Sequence, residues 1–133
     1  MAEKQPISVG CHIGFYEPPD LLILEFRGDV TAEHVAAYVD LRARLLEGQP
    51  RILTLIDARG LCEPPAETRA AVARLRDPRP QATAILGANF RQRVLAELVV
   101  KAAHLFTGKL IRLGFFEDVD AARAWLLETR PKL

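Results

Sequence analysis

The sequence predicts a single α/β domain built on a largely parallel sheet. Three observations predict it. Beyond residue 28, apolar runs alternate with segments of helical periodicity, the signature of strands joined by crossover helices. The runs ILTLID (52–57) and ATAILG (82–87) are nearly continuous in apolar character, as strands covered on both faces are. The chain has 133 residues, half of them hydrophobic, which is enough for one core in one domain spanning 1–133 without staples.

Each element has a local reason. Residues 1–6 are expected to form a flexible N-terminal segment. Residues 7–17 (ISVGCHIGFYE) are β-branched and aromatic and read as one strand, and Pro18, Pro19 and Asp20 form a turn. Residues 21–27 (LLILEFR) then pair back as a hairpin. Thr31 is placed to cap a helix, with Glu33 in the first turn to favour its dipole. That helix carries Val35, Tyr38, Val39, Leu45 and Leu46 and is stopped by Gly48 and Pro50. After strand 52–57 comes the loop ARGLCEPP, and a helix from Pro65 to about Arg76. Asp77, Pro78 and Pro80 break the chain before strand 82–87. Asn89 caps a long helix over 90–106, and Gly108 closes it. KLIRLGFF (109–116) is the last strand, and Asp118 caps a final helix before Pro131. The order is ββαβαβαβα: an antiparallel hairpin followed by parallel strands with right-handed crossovers.

Composition excludes several function classes. Net charge is +1, so nothing pulls the whole chain toward nucleic acid or acidic membranes. Charge is uneven, with seven arginines from Arg59 to Arg93 against Glu63, Glu67 and Asp77. Such an excess reads as a solvated face. Cys11 and Cys62 have no CxxC spacing, no secretory signal is visible, and no apolar run is long enough to span a bilayer, so a cytoplasmic protein with reduced thiols is expected. His12, His34 and His104 lie in three different elements without metal-ligand spacing. His12 reads as a strand residue, and His34 as an exposed first-turn residue. Glycine-rich phosphate cradles are absent, and one serine, Ser8, rules out a Gly-x-Ser-x-Gly nucleophile. No metal, no cofactor and no catalytic activity is expected.

Four stretches together resemble a known family. LEFRGDVTAEHV, LIDARGLCEPPAETRAAV, VLAELVVKAAHLF and FFEDVDAARAWL resemble, in order and spacing, the STAS family of bacterial anti-sigma-factor antagonists, and its SpoIIAA-like branch most closely. That branch is also similar in fold to the lipid-binding CRAL-TRIO domain. The resemblance implies a STAS-like domain with a protein-interaction or regulatory role. Regulatory STAS proteins carry a phosphorylatable serine or threonine just after the central strand. Here Ala58 to Pro65 contains neither, and Thr68, the nearest hydroxyl, falls inside the following helix.

Two groups of residues are candidates for function. Asp57 is expected at the C-terminal end of the central strand, where open α/β sheets bind ligands. With Arg59, Cys62 and Thr68 it forms a candidate ligand or partner loop, although Asp57 can equally serve only to hold the turn. The second group lies on helix 90–106. At 100° per residue its apolar side chains sweep roughly 240°, more than twice what one core contact needs. Leu95, Val99, Ala102 and Phe106 are the candidates for an interface or an apolar pocket. Flanking helices, a second copy of the chain, an apolar ligand between helix and sheet, or another protein partner could cover this arc. The reading that follows is a non-catalytic STAS-like interaction module, homodimeric through this helix. The alternative is a small carrier or sensor of a lipid-like ligand held between the third helix and the sheet.

Overall fold

The computed structural model describes residues 4–133 and contains one six-stranded mixed sheet. The strands are β1 (Gln5–Val9), β2 (His12–Glu17), β3 (Leu21–Gly28), β4 (Ile52–Leu61), β5 (Gln81–Leu86) and β6 (Ile111–Phe116). The helices are α1 (Ala32–Leu45), α2 (Ala66–Ala73), α3 (Phe90–Thr107) and α4 (Val119–Thr129), followed by a short 3₁₀ turn at Arg130–Lys132. Spatial order follows chain order from β1 to β6. Pairs β1–β2 and β2–β3 are antiparallel, and β3–β4, β4–β5 and β5–β6 are parallel.

The expected α/β class, the antiparallel start and the parallel remainder are all present. Several boundaries shift by a residue or two, including β5 (expected 82–87), β6 (expected 109–116) and the end of α3 (expected 106), and four differences have a physical reason. Residues 7–17 are two strands because Gly10, at φ +59°, turns the chain between β1 and β2. Gln5 and Pro6 belong to β1, so the expected flexible segment 1–6 is corrected for them. Residues 1–3 lie outside the described residues. Strand β4 continues to Leu61, which places Asp57 inside the strand and shortens the loop. Helix α2 ends at Ala73, three residues early, because Pro78 and Pro80 demand extended backbone close behind it. The remaining caps are as expected: Thr31, Asn89 and Asp118 accept from the backbone three residues on, and Gly108 closes α3 in the left-handed region.

The pleat sends alternate residues to opposite faces. One face carries Leu21, Leu53, Leu55, Ala82 and Ala84, and α4 alone covers it with Ala122 and Leu126. Alanines on both sides allow close approach, so the layer closes fully: Ala82, Ala84, Ala122 and Leu126 are completely buried. Two ion pairs tie this helix down, Arg123 near its middle to Glu17 and Arg130 at its C-terminus to the buried Asp20 carboxylate (2.7 Å). The other face carries Leu24, Ile56, Thr83, Ile85 and Leu113, and it lies beneath α1, α2 and α3.

Leu126→Ala is expected to cost about 2–5 kcal/mol, the range for truncating a fully buried leucine. Leu127→Ala, on the exposed side of the same helix, is expected to stay within about 0.5 kcal/mol. Urea unfolding of the two variants checks the contrast.

Candidate functional site

Helices α1–α3 do not close on their face of the sheet as α4 does. Helix α3 has 18 residues, yet only Ala103 is fully buried. Between this helical layer and the strands lies a cavity of about 260 Å³. Its floor is Leu24, Ile56, Ile85 and Leu113, and its roof includes Val35, Val72, Val99 and Val100. Apart from its two ends, Thr83 of the floor, and Thr68 and Arg69 of α2, the lining is apolar; the Arg69 Nε is itself buried without a partner.

One end lies near the C-terminal ends of the parallel strands and is built on two histidines. The His12 Nδ1 accepts the Arg27 backbone N–H (2.9 Å), so its proton sits on Nε2. That nitrogen faces the Asp29 carbonyl (2.9 Å) and the His34 Nδ1 (3.2 Å). The His34 Nδ1 also accepts the Thr31 N–H (3.2 Å), completing the cap of α1. Gly10 leaves room for this ring, since a Cβ there would stand 2.5 Å from His34 Nε2. Sequence reading separated these histidines and placed His34 on the surface. Their meeting depends on the β1–β2 turn and on a histidine at the third position of a capped helix, and only the second is visible in the sequence.

The opposite end gathers polar donors. Tyr38 and Arg42 come from α1, Thr54 from β4, Gln81 from β5, and Lys109 from the turn into β6. The Tyr38 hydroxyl and the Gln81 amide nitrogen are buried and make no well-formed hydrogen bond, although Thr54 and Arg42 stand close to the Tyr38 hydroxyl. Burial raises the Tyr38 phenol above its ordinary pKa, against the opposing effects of Arg42 and Thr54. Burial likewise holds the Lys109 ammonium below its ordinary pKa, the nearby Arg42 charge adds to this, and Asp77 opposes it. The Arg42 guanidinium stands 3.8 Å from Asp77 and 5.6 Å from the Tyr38 ring centre. Asp77 is committed to Arg79, accepting from its backbone N–H (3.1 Å), Nε (2.9 Å) and a terminal nitrogen (2.6 Å). Arg79 in turn donates to the Leu46 carbonyl (2.7 Å) and so ties this loop to the end of α1. Lys109 also borders a surface hollow between Arg76–Pro80 and Phe106–Leu110, so this end of the cavity lies beside solvent.

The candidate loop residues separate. Asp57 and Arg59 pair with each other through two contacts of 3.0 and 2.7 Å, and Asp57 also accepts the Arg59 backbone N–H (3.1 Å). These bonds hold Asp57 below the usual carboxylate pKa, against the effect of burial. Cys62 has an exposed thiol, and its backbone N–H donates to Gly28. Thr68 alone of the four lines the cavity. Its side chain is buried and its hydroxyl donates to the Val30 carbonyl (2.8 Å). The arginine excess is largely spent in pairs: Arg59 with Asp57, Arg79 with Asp77, Arg91 with Glu63, and Arg93 with Glu117. Among the described residues no cluster of three metal-ligating side chains occurs.

The apolar arc of α3 divides into a cavity-facing part, a half-buried flank and an exposed stripe. Val99 faces the cavity. Phe106 is exposed beneath the Arg74 guanidinium of the α2 C-terminus, 5.6 Å from its ring centre. Leu95 and Ala102 are half-buried and share that side of the helical wheel. The outward stripe consists of Phe90, Val94, Leu98 and Leu105, between 40% and 82% exposed. Only the wide arc hinted at that stripe.

One solved structure has the same layout: an uncharacterised protein of the DUF3478 family with a SpoIIAA-like fold from Shewanella loihica PV-4. It aligns over 94% of this chain and 93% of its own, at TM-score 0.53 and 21% identity. The fold is SpoIIAA-like. This agrees with the resemblance read from the four sequence stretches. No protein-family model matches the chain, and no curated protein matches it in sequence. No helix among the described residues is long and apolar enough to cross a membrane.

Thr68→Val should cost about 1–3 kcal/mol, because the buried Val30 carbonyl loses its donor. Denaturant unfolding reads this directly. Asp77 has a pKa below its ordinary value, mainly through Arg79, so it stabilises the fold above the unfolded aspartate range of about 3.9. That contribution is lost as pH falls through the lower folded value. In Asp77→Asn, the fall in stability between neutral and strongly acid pH should therefore be smaller than in the wild type.

Proposed function

We propose that this chain is a non-catalytic SpoIIAA-like binding module whose ligand is an apolar small molecule held between α1–α3 and the sheet. The apolar cavity carries this reading. An apolar void of about 150 Å³ holds benzene, so one of about 260 Å³ matches a ligand of roughly ten non-hydrogen atoms. The similarity of the SpoIIAA-like branch to lipid-binding domains supports the same reading. Lack of a hydroxyl in the loop after β4, together with the buried Thr68, speaks against a kinase-switched mechanism. The exposed Cys62 and the self-paired Asp57 and Arg59 fit a cytoplasmic binder better than an enzyme.

Naphthalene, with ten carbons, is a suitable neutral probe. Fluorescence titration is expected to show saturable binding. Val99→Phe, which fills the cavity, is expected to weaken it at least ~10-fold, equivalent to about 1.4 kcal/mol. Unchanged affinity in a folded variant would contradict the reading.

A second surface supports homodimerisation. Phe90, Val94, Leu98 and Leu105 form an apolar ridge along the outer side of α3, interrupted by Lys101. At 1.5 Å rise per residue the ridge runs about 22 Å, long enough for a self-complementary helix pair. Val99 faces the cavity, so it is not part of this ridge. Light scattering should report a wild-type dimer, and Leu98→Glu combined with Leu105→Glu should give a folded monomer. A wild-type monomer would remove the dimer from the account.

A further inference from the structure

The polar end of the cavity names the ligand's chemistry more closely. Gln81 is only 6% exposed, and its amide nitrogen has no partner. The Tyr38 hydroxyl is buried in the same state. The strand register brings these groups together. Gln81 pairs across the sheet with Ile52, in the cluster against which Tyr38 packs. On its other side Gln81 pairs with Ile111, two residues beyond Lys109. An unpaired buried donor is costly, and purely apolar side chains would line an apolar pocket better. Three cations, Arg42, Arg79 and Lys109, gather here around one carboxylate, Asp77, which Arg79 already occupies. The two unpartnered groups, the Tyr38 hydroxyl and the Gln81 amide nitrogen, can both donate, and Lys109 and Arg42 line the same end beside them.

We propose that the apolar ligand ends in a carboxylate, held by Tyr38, Gln81 and Lys109 with Arg42 behind them. This rests on the cavity reading above. A carboxylate is acceptor-only, and its two oxygens match the two buried neutral donors and the adjoining ammonium. The end beside solvent is the one that receives the charged group, so the apolar chain points along the floor toward Ile56 and Ile85. With roughly ten non-hydrogen atoms accommodated, an eight-carbon monocarboxylate is the matching size. Lys109 lines this end of the cavity and also borders the solvent-facing hollow, so its ammonium meets the carboxylate where the ligand enters.

The test is displacement of naphthalene by octanoate, 1-octanol and octyl phosphate from the wild type, Lys109→Met and Gln81→Leu. Octanoate is expected to displace the probe at ~10-fold lower concentration than 1-octanol, a difference of about 1.4 kcal/mol. Both variants are expected to erase that preference while 1-octanol remains unchanged. Equal displacement by octanoate and 1-octanol in the wild type would overturn the carboxylate and leave the cavity reading standing. So would a preference that survives in both variants, or tighter binding of octyl phosphate. If naphthalene itself does not bind, the cavity reading and this inference fall together.

Discussion

A six-stranded sheet has two apolar faces to cover, and this chain covers them by unequal means. On one side a single helix is enough, because Ala82 and Ala84 on the sheet and Ala122 on α4 let the layers meet closely. On the other side three helices are present, and a cavity with polar groups at both ends lies between them and the strands. The cavity is a consequence of that asymmetry. Close packing is the rule for protein interiors, so a space of this size is the feature on which the proposed ligand rests.

The standoff is braced at its margins. At one end, His12 and His34 link the β2–β3 region to the first turn of α1, and Thr68 ties α2 to Val30. At the other, Arg79 joins the loop after α2 to the end of α1, and Asp77 holds both Arg79 and Arg42. Asp57 and Arg59 repeat the same Asp-x-Arg arrangement on β4, where it is more exposed. Exposed pairs of this kind contribute little to stability, about 0–1 kcal/mol. The buried, neutral hydrogen bonds carry more of the load. The helical layer is therefore tied down at both ends, while Ala96 of α3 packs against the cluster of Ala58, Ile85 and Ala88 between them.

Much of the fold was legible in sequence because its signals are local. Thr31, Asn89, Gly108 and Asp118 announce helix ends whatever the rest of the chain does. Two boundaries failed because non-local pairing overrides local composition. Gly10 turns a run that otherwise reads as one strand, and pairing with β3 carries β4 past Asp57 to Leu61. The cavity was half legible. The excess arc of α3 signalled something beyond one core contact, and an apolar ligand was among its possible covers. The polar end was not legible, since Tyr38, Arg42, Gln81 and Lys109 come from three parts of the chain that only the parallel register unites. One signal did exist. Thr54 and Thr83 stand on the same face as Ile56 and Ile85, while Leu53, Leu55, Ala82 and Ala84 fill the other, so the two faces of nominally apolar strands differ in polarity.

The most direct test of the central claim is native mass spectrometry of the chain purified from cells without detergent. The account predicts a stoichiometric small-molecule adduct per chain that organic extraction removes, accompanied by a drop in melting temperature of the stripped protein. A bare chain mass, with a melting temperature that extraction leaves unchanged, would contradict it and make the space beneath α3 an unoccupied gap in the packing.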